Sequence, residues 1–298
     1  MECQPLAPSE ARTYLNAEML EPDVFELAGG TVAVLSTRRP EKTTANEDAA
    51  ALITVGDGVA VLVVADGCGG MANGELAARI AIECLACSIA AAAPEATALR
   101  AAILDGVEAA NRQILELKAG AGATLAVVQL ENGEARPYHV GDSQIMLVGG
   151  RGKVKLLTTS HSPVGYAVQS GMLEEAEAID HEERHLVSNY LGSEEMHVEM
   201  GSGRKIAGRD GLLVASDGVL DNLLMDEIVG FLRSGSAATA ARGIAALAMQ
   251  RMQEVQDGKP HKPDDLTLIV YTRRGKRTAA NGAPPPTPDS GVEEPTAP

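Results

Sequence analysis

The stretch TLAVVQLENGEARPYHVGDSQIMLVGGRGKVKLL, residues 124–157, decides the fold. It breaks into four short apolar runs, Thr124–Leu130, Ala135–Val140, Gln144–Val148 and Val154–Leu157, parted by ENG, GDS and GGRG. Runs of that length bounded by Asn, Asp and Gly read as strands joined by turns, and consecutive short strands favour antiparallel meanders. Toward the N-terminus, Thr31–Ser36, Ala50–Val55 and Val59–Ala65 have the same character, whereas Asn73–Ala92 and Glu95–Leu117 repeat apolar residues at helical spacing. Toward the C-terminus the pattern predicts a helix at Val164–Ser170, a strand at Gly211–Ala215, helices at Asp226–Arg233 and Ala237–Gln256, and a last strand at Leu266–Tyr271. Strands in clusters and helices in pairs predict an α+β fold, two antiparallel sheets packed face to face and flanked by helices.

Composition narrows the function. Of 298 residues 45% are hydrophobic but only 2% aromatic, with no Trp and two Phe, so the core is built from Ala, Val, Leu, Ile and Met. Few aromatic platforms and a formal charge of -16 both argue against nucleic acid, whose phosphates such a charge repels. Residues 1–20 lack the basic start and apolar run of a signal peptide, and the Ala-rich stretch 72–104 is interrupted by Glu75, Arg79, Glu83 and Arg100. A cytoplasmic protein without membrane contact is expected. Cys84 and Cys87 have C-x-x-C spacing inside a helical pattern with no second pair, which reads as small core residues, and Cys3 falls in a loose terminus. From Arg273 onward Pro, Gly, Thr and acidic residues predict a disordered tail.

Four acidic segments stand at the ends of predicted strands. They are NED (Asn46, Glu47, Asp48), ADGCGG (Ala65 to Gly70), SDG (Ser216 to Gly218) and PDDLT (Pro263 to Thr267). In each, an apolar strand delivers a carboxylate into a turn, often beside a glycine that lets the backbone approach an ion. Hard cations such as Mg²⁺ and Mn²⁺ take oxygen ligands of this kind.

Together with GATL, YHVGDSQ, HSPV, LLVASDGVLDNL and DDLTLIV, these segments resemble, in order, the blocks of the type 2C family of metal-dependent protein phosphatases, from about Ala33 to Tyr271. The resemblance implies a four-layer α/β/β/α sandwich with a binuclear metal centre at one end. Asp66 would bridge two metals, with Glu47 and the Gly67 carbonyl completing one site and Asp217 and Asp264 holding the other. Asp48 would support the site through water, and Asp142 would help bind a third ion alongside Asp217. The implied cofactors are two or three Mn²⁺ or Mg²⁺. The implied reaction is hydrolysis of phosphoserine and phosphothreonine monoesters by in-line attack of a metal-bridging hydroxide. The partners are phosphorylated proteins, a protein kinase or its targets among them. The catalytic domain is expected over residues 27–272, with an N-terminal extension at 1–26 and the tail at 273–298.

The chain departs from the family at several positions. The usual phosphate-gripping Arg four residues before Glu47 is Thr43 here, which leaves Lys42, Arg39 or Arg38 to bind phosphate. Cys68 stands where some members carry a general-acid His, making its thiol a candidate proton donor. Asp265 stands where Asn is commoner. His161 is expected to hold a turn. Two competing readings remain: an inactive phosphoprotein-binding member of the same fold, and a zinc protease through His181-Glu182-Glu183-Arg184-His185, which fits H-E-x-x-H.

Overall fold

The computed structural model describes residues 4–5, 10–68, 73–92, 98–118, 120–178, 181–233 and 235–273. In chain order the strands are β1 (Gln4–Pro5), β2 (Ala11–Leu15), β3 (Asp23–Leu27), β4 (Gly30–Thr37), β5 (Asp48–Gly56), β6 (Val59–Gly67), β7 (Ala123–Glu131), β8 (Glu134–Val140), β9 (Gln144–Val148), β10 (Val154–Leu157), β11 (Glu199–Met200), β12 (Arg204–Lys205), β13 (Gly211–Ala215) and β14 (Leu266–Arg273). The helices are α1 (Gly74–Ala92), α2 (Leu99–Glu116), α3 (Pro163–Gln169), α4 (Glu175–Ala178), α5 (Asp217–Leu220), α6 (Met225–Leu232) and α7 (Ala237–Gln253).

One sheet runs β1-β3-β4-β14-β13-β9-β10 and the other β11-β8-β7-β6-β5-β2, with β12 also on β8. All pairings are antiparallel except β1 with β3. Central strands read as unbroken apolar runs because both faces are covered. On β4, Val32 and Val34 point between the sheets while Ala33 and Leu35 pack under the helices. On β5, Ala50 and Leu52 face the other sheet and Ala49, Ala51 and Ile53 face α1 and α2. The result is the four-layer α/β/β/α sandwich. Small residues let the helices close on the sheet: Ala77, Ala78 and Ala81 are buried, and a Cβ at Gly106 would stand 3.0 Å from the Leu85 Cα where α2 meets α1. Of the two cysteines expected in the core, Cys84 packs partly buried against it and Cys87 does not enter it. The inward face of α1 carries Ala77, Ala81, Leu85 and Ile89, which leaves Cys84 partly exposed and Cys87 exposed.

Two other expectations change. The four strands of residues 124–157 form no single meander, because β7 and β8 lie in one sheet and β9 and β10 in the other. The chain crosses between sheets at Gly141-Asp142-Ser143, where Gly141 has φ +99 and a Cβ would lie 2.6 Å from the Thr124 Cβ. Only glycine fits there. The line expected between residues 26 and 27 falls inside β3, and the segment before it is built in: β2 pairs with β5, β3 with β4, and Tyr14 and Phe25 enter the core between the sheets. The tail from 274 onward, Cys3 and residues 69–72 of the ADGCGG segment and its continuation lie outside the described residues. Among those described, no helix is long and apolar enough to cross a membrane.

Candidate metal centre

Strand register begins the assembly of the site. The β5–β6 hairpin sets Asp48 opposite Asp66, and β6–β7 sets Asp66 opposite Thr124. In the other sheet β13 ends at Ala215 and β14 starts at Leu266, so Asp217 and Asp264 emerge at the same end of the sandwich. Ser216 links the two sheets there. Its N–H donates to the Thr267 carbonyl at 3.0 Å, its Oγ accepts the Thr267 N–H at 3.0 Å, and its hydroxyl donates to Asp48 Oδ2 at 2.8 Å. The loop before β5 closes on β6 where the Gly67 N–H donates to the Glu47 carbonyl at 3.1 Å. A Cβ at Gly67 would meet the Gly74 carbonyl carbon at 2.3 Å, and one at Gly74 would stand 3.0 Å from Glu47 Oε1. Gly74 therefore clears space beside the Glu47 carboxylate, and Gly67 lets the end of β6 press against the Gly74 backbone.

The electrostatics record carboxylates crowded together. Asp48 and Asp66 are pushed well above the ordinary carboxylate range, first by burial and then by neighbouring aspartates, which for Asp66 are Asp48, Asp217, Asp264 and Asp142. Asp142 is pushed up to about 8 by burial and then by Asp217 and Asp221, and its Oδ1 is buried without a hydrogen-bond partner. Asp264 is pushed up to about 6 by burial and then by Asp217. A buried carboxylate oxygen without a hydrogen-bond partner, in a residue that feels neighbouring acids, is unfavourable by itself and suits a hard cation. The donor set, carboxylate oxygens with a glycine carbonyl beside them, fits Mg²⁺ or Mn²⁺. Cys68 lies beside this group. Its N–H donates to the Gly122 carbonyl at 3.0 Å, and burial, then Asp142 and Asp217, push its thiol up to about 12.

Two lysines enter the cluster. Lys42 is held between Glu47 Oε2 at 2.7 Å and Asp265 Oδ2 at 2.6 Å, its side chain 7% exposed. Asp265 also accepts the Glu47 N–H at 2.7 Å and the Arg39 N–H at 3.0 Å. Lys42, beside the departure at Thr43, thus meets the departure at Asp265, and its ammonium faces protein carboxylates rather than open solvent. The Arg39 guanidinium is exposed, 3.4 Å from the Pro263 carbonyl, and Arg38 reaches Glu18 and the Thr44 carbonyl. Lys262 touches Asp217, Asp221 at 2.9 Å and Asp264 at 3.4 Å. Burial opposes its charge, but these carboxylates outweigh it and raise the ammonium above its usual range. Sequence reasoning missed Lys262, Asp221, Ser216 and the hub role of Asp265. Asp221 carried one signal, its place four residues after Asp217 in SDGVLD.

A groove of about 910 Å³ opens beside the cluster. Asp142, Asp217 and Asp221 of the cluster line it together with Ser160, Val164, Arg184, Leu224 and Asp226. Arg184 donates to Asp221 Oδ1 at 2.9 Å and so ties the segment that carries it to the acidic cluster. The H-E-x-x-H segment is thereby accounted for: Glu182–His185 is one turn of 3₁₀ helix with no buried residue, and His181 caps it by accepting the Glu183 N–H at 3.2 Å.

Among the described residues, the one group of three ligand atoms within 4.8 Å of one another is His139, His161 and Glu199. Hydrogen bonding rules it out as a cation site. His161 Nδ1 accepts the Gly141 N–H at 3.1 Å and faces the Asn189 amide nitrogen at 2.8 Å. The ring proton must then sit on Nε2, directed at Glu199 Oε2 3.2 Å away, with no lone pair left there for a metal. Since the His161 N–H also donates to the Gly141 carbonyl at 2.9 Å, this histidine clamps the turn that carries Asp142, the structural role expected of it.

A carboxylate cluster bridging two sheets at one end of a sandwich is the chemistry of a hydrolase working through hard cations. Comparisons with known proteins agree. The family model described as Protein phosphatase 2C matches residues 37–255. A putative protein phosphatase 2C-type of Streptococcus pyogenes is 30% identical over 207 residues, 67% of this chain and 83% of that protein. The serine/threonine phosphatase of S. agalactiae superposes with a TM-score of 0.69 at 26% identity, covering 81% of this chain and 98% of that one. The catalytic domain of the serine/threonine protein phosphatase PstP, solved in complex with two manganese ions, superposes at 0.61 with 25% identity over 81% of this chain and 96% of that one. The chain belongs to the protein phosphatase 2C family. It is a serine/threonine protein phosphatase.

Proposed function

We propose that this phosphatase works on two or three divalent cations, Mn²⁺ or Mg²⁺, held by Glu47, Asp66, the Gly67 carbonyl, Asp217 and Asp264, with Asp142 supporting a third. The observation that carries the reading is the convergence of these acids from separate chain segments with Asp142 Oδ1 left unpartnered. Bound there, such cations make water nucleophilic near neutral pH and offset charge on the phosphoryl oxygens.

The chain's own residues set the geometry. Ser216 fixes Asp48, His161 fixes the Asp142 turn, and Asp265 with Lys42 fixes both the backbone and the carboxylate of Glu47. Lys42 is therefore read as a positioning residue, which leaves the exposed Arg39 guanidinium as the phosphate contact. At about 12, the Cys68 thiol keeps its proton at neutral pH, far from the matched value that general-acid catalysis favours. Asp66 and Asp217 are the residues on which turnover depends most. The substrates are phosphoserine and phosphothreonine proteins, presented along the groove beside Asp142. A cytoplasmic role in signalling opposite a protein kinase completes the reading.

The test compares wild type and Asp66→Asn on a phosphothreonine peptide with the cation varied. Loss of about two or more orders of magnitude is expected for a carboxylate shared by catalytic cations. Near-normal turnover contradicts the assignment, and tight peptide binding without turnover by wild type in Mn²⁺ supports a binding module instead.

A further inference from the structure

Lys262 stands where a cation is wanted. Its ammonium touches Asp217, Asp221 at 2.9 Å and Asp264 at 3.4 Å, and its side chain is 28% exposed. Two of those three acids, Asp217 and Asp264, are the ligands assigned above to one divalent ion. Each of the three carboxylates thus turns an oxygen toward the same ammonium. Placement is fixed from both sides. The Lys262 N–H donates to Asn222 Oδ1 at 2.9 Å, and the Asn222 amide donates to the Lys262 carbonyl at 2.8 Å, pinning the backbone against the end of α5. The third acid, Asp221, is also held by Arg184 on the groove wall and stays available to the ammonium when the other two are taken.

We propose that Lys262 is a resident cation of the centre. It neutralises Asp217, Asp221 and Asp264 in metal-free protein and competes with the divalent ion for Asp217 and Asp264, so that this ion loads only when its concentration is high enough to displace an ammonium. The metal-binding reading of the carboxylates is the foundation here, and the inference adds that this chain carries its own competitor. Charges this close interact strongly at the edge of a protein, so removing one positive charge from beside a dication must tighten its binding.

The experiment is a calorimetric Mn²⁺ titration of metal-free wild type and Lys262→Met, with Lys262→Gln as a second variant in case the first fails to fold. Roughly ten-fold or greater tightening of one Mn²⁺ is expected in the variants, together with a larger Mn²⁺-induced rise in Tm because the metal-free state has lost its counter-charge. Wild type gives an independent reading: acetylation of Lys262 by acetic anhydride, followed by peptide mass spectrometry, should rise several-fold when Mn²⁺ saturates the protein. Unchanged or weaker Mn²⁺ binding in both variants, or unchanged Lys262 acetylation, overturns the competitor role while leaving the metal centre standing. Wild type that binds no Mn²⁺ overturns both.

Discussion

Replacing Asp265 by Asn tests whether Lys42 and Asp265 act as a matched pair. Asp265 Oδ2 receives the Lys42 ammonium and the Glu47 N–H, and Oδ1 receives the Arg39 N–H, so every neighbour is a donor. An amide has one acceptor oxygen. Either orientation sets its NH₂ against an N–H or against the ammonium, and the charge facing Lys42 is gone. One unsatisfied donor costs about 1–3 kcal/mol and the weakened ion pair adds to it, although Glu47 still holds Lys42. With side chains only 7% and 4% exposed, water cannot screen much of this. A loss of about 2–4 kcal/mol follows, a drop in Tm of roughly 5–15 °C in EDTA. Lys42→Met should cost about 3–5 kcal/mol by leaving Asp265 buried without a counter-charge. The double variant should cost less than the sum, by about 1.5–3 kcal/mol in urea denaturation. Additivity within about 0.5 kcal/mol would refute the pairing.

Further outcomes are expected. Because Asp142 at about 8 and Asp264 at about 6 bind protons more readily folded than unfolded, metal-free protein should lose stability as pH rises from about 5 to 8, and saturating Mn²⁺ should flatten or reverse the trend in thermal melts. Lys262, raised and charged throughout that window, adds nothing to the slope. Iodoacetamide at pH 8 should label exposed Cys87 quickly and Cys68 slowly in metal-free protein, and Cys68→Ala should keep kcat and its pH profile; equal labelling rates would contradict the buried, protonated thiol. Arg39→Ala should raise KM for a phosphopeptide several-fold with kcat nearly unchanged, whereas an unchanged KM removes Arg39 as the phosphate contact. His161→Ala should loosen the Asp142 turn, seen as weaker binding of a third Mn²⁺ in calorimetry with the other two retained.

The strands and long helices were legible because both sheet faces are buried, so apolar runs such as Val59–Ala65 announce themselves, and the observed β6 extends that run only to Gly67. The acids of the centre were legible for the same reason, each closing or opening such a run. β2 escaped notice because it is an edge strand whose burial is confined to Tyr14 and, partly, Leu15. The sheet change at Gly141 was hidden because GDS looks like any hairpin turn until Thr124 is known to press on it. Lys42 and Asp265 lie 223 residues apart and Lys262 and Asp217 lie 45 apart, and no local periodicity encodes such pairings. Asp265 was visible as an oddity of composition, but its partner required coordinates.

The family match over residues 37–255 omits nearly all of β4 and the whole of β14, which are adjacent in the middle of one sheet. A fragment cut to the matched span would strand β13, β9 and β10 as a half-sheet with a raw hydrogen-bonding edge, stripped of Asp264 and Asp265, while β5 would lose the cover of β2. Such a fragment should aggregate rather than dephosphorylate. The smallest autonomous enzyme should therefore begin ahead of Ala11 and run through Arg273, because strands at both ends complete the sheets on which the matched middle rests.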